Sequence, residues 1–357
     1  MKLNKWPIVT DNHRYLISSA IETGQLSQGN YTSELELQWS NYTKIDYVTA
    51  VSSGTSALML ALLSVGVKPD DEVICPVYSW YSTGLAITNL GAKPVFVDSD
   101  ETYNIDVNKI EQAITDKTKA ILYVDVHGLI PDVLKIQELA HNYNVYMVED
   151  AAQAHGSYRY GQHAGSFADV SIFSLQQTKV LFGGEGGLVC TNRPDIHSYI
   201  TNRHEMGNGV YTPAYNFRID EMSAACALAG IEMIDMYAEQ SRINKNLLAE
   251  KLSSCYSFVD ESADGKTNWH RVRVNGPKEY INKITQNNLI PTHKWPRPNS
   301  MPFPFLPAFI DYRVDCPVAE ELVLTSTCLL NHDTPIWCQD VQQINDYANL
   351  ILAVLNE

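Results

Sequence analysis

From about residue 46 the chain alternates short apolar runs with longer stretches in which apolar residues recur every three or four positions. The short runs lie at 46–51, 72–76, 94–98, 120–125, 145–150, 170–174 and 187–191, and each predicts a buried strand. The stretch 55–65 carries Ala57, Leu58, Leu60, Ala61, Leu62 and Val65 at helical spacing and predicts a helix. Segments 81–90, 107–114 and 131–143 predict three more. Strands separated by short helices make a mainly parallel sheet covered on both faces. Such sheets hold ligands beyond the carboxyl ends of their strands.

The first 45 residues are polar and irregular, with helical stretches at 14–22 and 33–42. Beyond 191 the pattern changes. Segment 192–215 is mixed, and 223–252 reads as one long, largely apolar helix. A smaller α/β region follows, with a strand at 268–274, a helix at 277–287, a proline-rich segment at 291–307 and a last helix at 340–355. A length of 357 residues fits two domains. We place them at 1–236 and 237–357, with 1–45 an N-terminal segment of the first.

Composition narrows the function classes. With 26 basic and 41 acidic residues the net charge is -15, which argues against a nucleic-acid surface and against adhesion to an anionic membrane. The first residues contain no apolar signal run, and no apolar stretch is long enough to span a bilayer, so a cytoplasmic location is expected. The seven cysteines are odd in number and lack CxxC spacing. They read as buried thiols in a reducing compartment, and no metal site is expected.

Four features carry candidate chemistry. Ser53-Gly54-Thr55-Ser56 sits where a strand passes into a helix. It is either an ordinary N-cap with a glycine turn or a cradle for a phosphate, which a helix N-terminus attracts. Trp80, just past a strand, either packs or stacks on a flat ring. Asp150 ends the run 145–150, where it either caps a turn or meets a ligand cation; Glu149 should point the other way. Gln153 and His155 follow it, and His155 by default is satisfied by a neighbour. Lys179 lies between the run 170–174 and the glycines Gly183, Gly184, Gly186 and Gly187. It is either a surface lysine beside a turn or a Schiff-base former. Together the four match pyridoxal 5'-phosphate: a phosphate cradle, an aromatic plate, a carboxylate for the ring nitrogen and a lysine for the aldehyde.

The stretches Ser53-Gly-Thr-Ser-Ala-Leu58, Gly91-Ala-Lys-Pro-Val-Phe-Val-Asp98, Glu149-Asp-Ala-Ala-Gln-Ala-His-Gly156, Thr178-Lys179 and Gly184-Glu-Gly-Gly187 resemble the DegT/DnrJ sugar aminotransferase family. The resemblance runs from about residue 25 to 236. It implies a fold-type-I α/β enzyme, with a mainly parallel seven-stranded sheet between helices and a smaller C-terminal α/β domain. Pyridoxal phosphate is the implied cofactor, and a keto sugar or keto cyclitol the acceptor. By motif, Gly54, Thr55 and Ser174 take the phosphate, with Ser56 beside them. Trp80 stacks on the ring, Asp150 meets the pyridine nitrogen, Gln153 the 3'-oxygen, and Lys179 forms the Schiff base. Asn216 matches an asparagine that reaches the phosphate from a neighbouring subunit, which implies a homodimer.

Trp80 and Ser174-Leu-Gln-Gln-Thr-Lys look most like the branch that aminates scyllo-inosose-type cyclitols. An NDP-4-keto or NDP-3-keto hexose is the alternative acceptor, and glutamate or glutamine the donor. Related sugar dehydratases replace the lysine with histidine, and a non-catalytic regulator is the remote alternative. The region after 236 departs from the family pattern. There His293 and His332 are the substrate candidates.

Overall fold

The computed structural model describes residues 1–205, 214–293, 307–312 and 314–356. After the helices α1 (Asp11–Glu22) and α2 (Asn30–Thr43), the chain lays down β1 (Tyr47–Val51), α3 (Gly54–Ser64), β2 (Glu72–Pro76), α4 (Ser82–Asn89) and β3 (Lys93–Val97). Then come α5 (Val107–Ile110), β4 (Thr118–Val124), α6 (Val133–Tyr143) and β5 (Tyr146–Asp150). A short hairpin, β6 (Tyr158–Arg159) and β7 (Gln162–His163), precedes β8 (Val170–Ser174) and β9 (Gly187–Thr191).

Seven of these strands form one sheet in the order β1-β9-β8-β5-β4-β2-β3. Only β9 runs against its neighbours β1 and β8. The ends of β1, β2, β5 and β8 therefore lie along one edge, where a parallel sheet holds its ligand. Both faces are covered, and successive residues of a strand feed opposite layers. Leu122, Val148, Ile172 and Val189 pack with Leu58, Leu62, Ala86 and Ile87 from α3 and α4. Ile121, Met147, Phe173 and Leu188 pack on the other side with Leu35 and Trp39 of α2 and Ile136 of α6. That is why the runs read as continuously apolar.

After α7 (Pro194–His204) come α8 (Glu221–Leu228) and α9 (Ile234–Leu252). The single helix expected over 223–252 is therefore two. The break falls at Gly230, a weak helix former, and a 3₁₀ turn at Ile231–Met233 restarts the chain. The expected domain boundary at 236/237 falls near the start of α9. The helix expected over 107–114 likewise shortens to α5 plus a 3₁₀ turn, Glu111–Ala113.

The C-terminal region contributes β10 (Ser257–Phe258), β11 (Gly265–Lys266), β12 (Val272–Asn275), α10 (Lys278–Gln286), β13 (Thr292–His293), α11 (Pro317–Thr325), β14 (Ser326–Leu329) and α12 (Val341–Asn356). A second, antiparallel sheet has the order β10-β12-β14-β13. Its core residues Val272, Val274 and Leu329, with Ile284 and Tyr347 of α10 and α12, continue the core on one face of the main sheet. Strand β11 pairs with β6 of the first region. Most of the proline-rich segment lies outside the described residues. The strand expected at 268–274 begins only at Val272, because Asn268 is held elsewhere: its Nδ2 donates to Gln153 O and His155 O, both at 2.9 Å.

Candidate active site

Asp150, the last residue of β5, is buried; Glu149 points to the opposite face and accepts from the Gly165 and Phe167 N–H groups. One Asp150 oxygen accepts from Thr83 Oγ1 at 3.0 Å, the other from the Ala152 N–H at 3.2 Å. Burial raises its pKa, opposed by these two donors and by the charge of Lys179. The carboxylate is thus fixed in direction and would gain from a cation in front of it.

Lys179 sits on the loop between β8 and β9. The loop closes on itself: Gln177 N–H donates to Gly184 O at 2.9 Å and Gly183 N–H to Leu175 O at 2.7 Å. Inside it the Gln176 side-chain oxygen, Oε1, accepts from the Thr178 N–H and hydroxyl at 2.8 and 2.6 Å, and Lys179 N–H donates to the Gln176 backbone oxygen. Gly184 and Gly186 turn the chain back at φ 88° and 139°, which a side chain would strain. From the N-terminal segment, Trp6 donates Nε1–H to Gln177 O at 2.9 Å. The loop is thus pinned on both sides of the lysine. Burial, then the Arg271 charge, pushes the Lys179 amine down to about 8, while Asp150 opposes. An amine in that range is a usable base near neutral pH.

The α3 N-terminus faces the same space. Ser53 is its N-cap, its Oγ accepting from the Ser56 N–H at 3.1 Å. A Cβ on Gly54 would stand 3.0 Å from Ser174 Cβ, so the missing side chain leaves the helix start open beside the Ser174 hydroxyl. Thr55 Oγ1 donates to Ser82 Oγ at 3.0 Å. Ser56 differs from expectation: its hydroxyl is tied to Ser53 and Ser52 at 2.9 and 3.2 Å, behind the cap, and it does not line the cavity.

These residues line one cavity of about 790 Å³, together with Trp80, Tyr81, Gln153 and, from the C-terminal region, His270, Arg271, Thr292, Cys328 and His332. Trp80 remains 45% exposed with its ring against Tyr81, centroids 4.5 Å apart. Gln153 has its carbonyl end fixed, because it accepts from the His127 N–H at 2.9 Å; the amide nitrogen is the end left to donate. His155 lies in the core, its ring 5.6 Å from Trp39 and 5.3 Å from Phe173, and burial drives its pKa well below the usual value.

His332, a sequence candidate, reaches the cavity wall and accepts from Arg271 through Nδ1. His293 pairs by its backbone with Cys328 in β13; its side chain lies outside the described residues. Asn216 is exposed and accepts from Arg218 Nε at 3.1 Å, away from its own chain's cavity. Arg271 was missed by sequence reasoning. The signal was present: Arg271 and Arg273 alternate with valines in Arg-Val-Arg-Val, so two charges share one strand face, and both are buried.

The donor set suits pyridoxal phosphate. An open glycine–hydroxyl cradle at a helix start, a buried strand-end carboxylate, a ring-sized aromatic and a pinned lysine surround one space. A family model described as "DegT/DnrJ/EryC1/StrS aminotransferase family" matches residues 8–344. The chain belongs to this family of sugar aminotransferases. Pyridoxal phosphate is the family's cofactor, and transaminase activity follows from membership.

Among relatives of this DegT/DnrJ-family chain, the GDP-perosamine synthase of Escherichia coli O157:H7 is 33% identical over 328 residues, covering 88% of this chain and 89% of that protein. The L-glutamine:2-deoxy-scyllo-inosose aminotransferase of Streptomyces kanamyceticus is 36% identical over 197 residues, covering 53% and 46%. The solved aminotransferase from Psychrobacter cryohalolentis superposes with a TM-score of 0.92 at 25% identity, over 99% of each chain. Its fold is the fold-type-I architecture expected from the motifs. Among the described residues no helix is long and apolar enough to cross a membrane.

Proposed function

We propose that this aminotransferase moves an amino group from glutamate or glutamine to the ketone of a nucleotide-linked sugar, in a homodimer whose sites are shared. The observation that carries the acceptor is the similarity to a GDP-perosamine synthase over nearly the full length of both chains. Cyclitols are the second reading, favoured by the 36% identity to the 2-deoxy-scyllo-inosose enzyme over about half of this chain.

In this reading the cradle of Gly54, Thr55 and Ser174 holds the cofactor phosphate against the α3 N-terminus, where N–H groups and the helix dipole favour an anion. Trp80 covers one face of the ring. Asp150, held by Thr83 and Ala152, keeps the ring nitrogen protonated. Gln153 donates to the 3'-oxygen. Bound there, pyridoxal phosphate supplies an aldehyde for amine exchange and a ring that accepts the electron pair left at the donor's α-carbon. Lys179 would hold the cofactor, and its amine, once free, would take up and return the proton of the donor's α-carbon. Asn216 of one protomer completes the phosphate site of its partner.

The test is two half-reactions. The purified enzyme is converted to its amine form with glutamate and, separately, glutamine; keto nucleotide sugars and keto cyclitols are then screened for return of the cofactor's visible absorbance. A response to a keto cyclitol alone would overturn the nucleotide-sugar reading. Lys179→Ala is expected to lose that absorbance and all measurable turnover, and steady-state turnover in that variant would remove the lysine from its role.

A further inference from the structure

One buried imidazole on the cavity wall has no part in the cofactor scheme. His270 is 4% exposed, and it lines the cavity. Its ring lies on that of Trp337, with centroids 5.3 Å apart and planes at 18°. Its backbone is fully engaged: the N–H donates to Asn268 Oδ1 at 3.0 Å, and the carbonyl oxygen accepts from Arg271 at 3.2 Å. Among the described residues, neither ring nitrogen has a hydrogen-bond partner. Burial first, then the charges of Arg271 and Lys179, then those of His332 and His127, drive its pKa well below the usual value. The ring is therefore neutral near pH 7, with one N–H that donates and one nitrogen that accepts.

A buried polar group without a partner is costly, and here the chain on both sides holds it in place. Asn268, two residues earlier, donates to Gln153 O and His155 O in the loop after β5, and its own N–H donates to Ser157 Oγ at 3.0 Å. Trp269 sits at φ 45°, in the left-handed region that a bulky residue rarely adopts. Its ring lies under Lys245 Nζ at 4.9 Å, and its carbonyl oxygen accepts from Ser241 Oγ at 3.2 Å. Val272 pairs with Leu329 of β14. The turn at Trp269 delivers His270 to the cavity, and Trp337 fixes the plane of its ring. The charge of Lys179 reaches that ring, so the imidazole lies near the place where the lysine works.

Resting on the aminotransferase reading, we propose that His270 hydrogen-bonds a hydroxyl of the acceptor, on the carbon next to the ketone, and so selects a hydroxylated ketone over its deoxy analogue. A hydroxyl both donates and accepts, as a neutral imidazole does. The amino-acid donor brings charged groups, for which a charged partner makes the stronger bond. A site built around a hydroxyl rejects the ligand that lacks it, because its own polar group then stays buried and unpaired. Keto sugars and keto cyclitols both carry such a hydroxyl. The shared chemistry is the hydroxyl beside the ketone, and the arms of the test separate the two sources.

The test starts from the amine form of the holoenzyme and follows the return of its visible absorbance with two pairs of ketones. One pair is a GDP-linked 4-keto-6-deoxyhexose and its 3-deoxy analogue; the other is scyllo-inosose and 2-deoxy-scyllo-inosose. Each pair differs by one hydroxyl beside the ketone. The wild type is expected to prefer the hydroxylated member of the pair it accepts by roughly tenfold or more in kcat/KM. In His270→Phe, which keeps a flat ring against Trp337, that preference is expected to vanish, while conversion by glutamate changes far less. His270→Gln, whose amide both donates and accepts, is expected to retain part of the preference. An undiminished preference in His270→Phe would overturn the proposal. So would an equal slowing of the glutamate step in both variants, which would make the histidine structural, or an altered resting absorbance, which would assign it to the cofactor. A wild type that glutamate converts but neither pair returns overturns the proposal and leaves amine exchange standing. A wild type that neither glutamate nor glutamine converts is the separate failure of the aminotransferase reading, and the proposal falls with it.

Discussion

Gly54 shapes the cavity wall, and Asp125 buries an acid behind it. At Gly54 the side chain is absent because Ser174 needs the room. Gly54→Ala would press on the Ser174 Cβ and hydroxyl, the latter 3.3 Å away, and tilt the cradle. We expect about tenfold weaker cofactor binding, the loss of one ordinary hydrogen bond's worth, in an absorbance titration of the apoenzyme; an unchanged affinity would take Ser174 out of the phosphate site. Asp125 follows β4 and is fully buried, with its carboxyl beside that of Glu149. Burial first, then the charge of Glu149 and a hydrogen bond to its carboxylate, then the charge of Asp150, raise its pKa well above the ordinary value. The folded state then binds a proton that the unfolded chain releases. Its destabilising effect is absent below the unfolded pKa, near 4, and grows as pH rises toward the folded value. Asp125→Asn mimics the protonated acid, so its melting temperature is expected to exceed that of the wild type by a few degrees at pH 8 and to converge with it at pH 4. A gain that is equal at both values would show that the carboxyl does not titrate on folding.

At the scale of elements, the lysine loop depends on a segment more than 170 residues earlier. Trp6 is packed edge-on against Phe182, Tyr237 and Trp337, with ring centroids 5.2 to 5.6 Å away, and its indole N–H holds the Gln177 carbonyl. Trp6→Phe keeps an aromatic in that cage and removes only the donor. Amides 176–180 are expected to exchange about fivefold faster, as the loss of a bond worth about 1 kcal/mol implies. Exchange confined to wild-type rates would mean that the loop holds its own shape through Gln176 and the glycine return. The N-terminal segment reads as irregular in sequence, because a single buried tryptophan has no periodicity. Strand and helix positions in the first region were legible because both faces of the sheet are buried and the apolar runs are unbroken. The break at Gly230 was not: the apolar pattern continues across it, and one glycine inside a helical pattern is often tolerated.

At the scale of the molecule, Asn216 is exposed and outside its own cavity, which makes the dimer testable. Lys179→Ala and Asn216→Asp, each inactive alone, are expected to recover roughly one quarter of wild-type activity when unfolded together and reassembled, since half the dimers are hybrids and each hybrid holds one intact site. No recovery on mixing would place both residues in the same chain's site. Asp150, Trp80 and Gly54 were legible as cavity-lining residues because they lie at or just past a strand end or at a helix start, and Lys179 because glycines mark its loop, positions that local pattern itself marks. Arg271 was not, because its meaning lies in a contact between the two regions.

The order of strands and helices, the strand-end position of Asp150, the helix start at Gly54 and the glycine-flanked Lys179 are all local, and so the sequence alone determined them. Periodicity reports which faces are buried, and short motifs report where the chain must turn or approach a ligand. Only the tertiary structure decided that β9 runs antiparallel and that Asn268 ties the C-terminal region to the loop after β5. The same contact sets Arg271 and His332 beside Lys179. Each of these depends on residues far apart in the chain meeting in space, and single-chain periodicity carries no record of such a meeting.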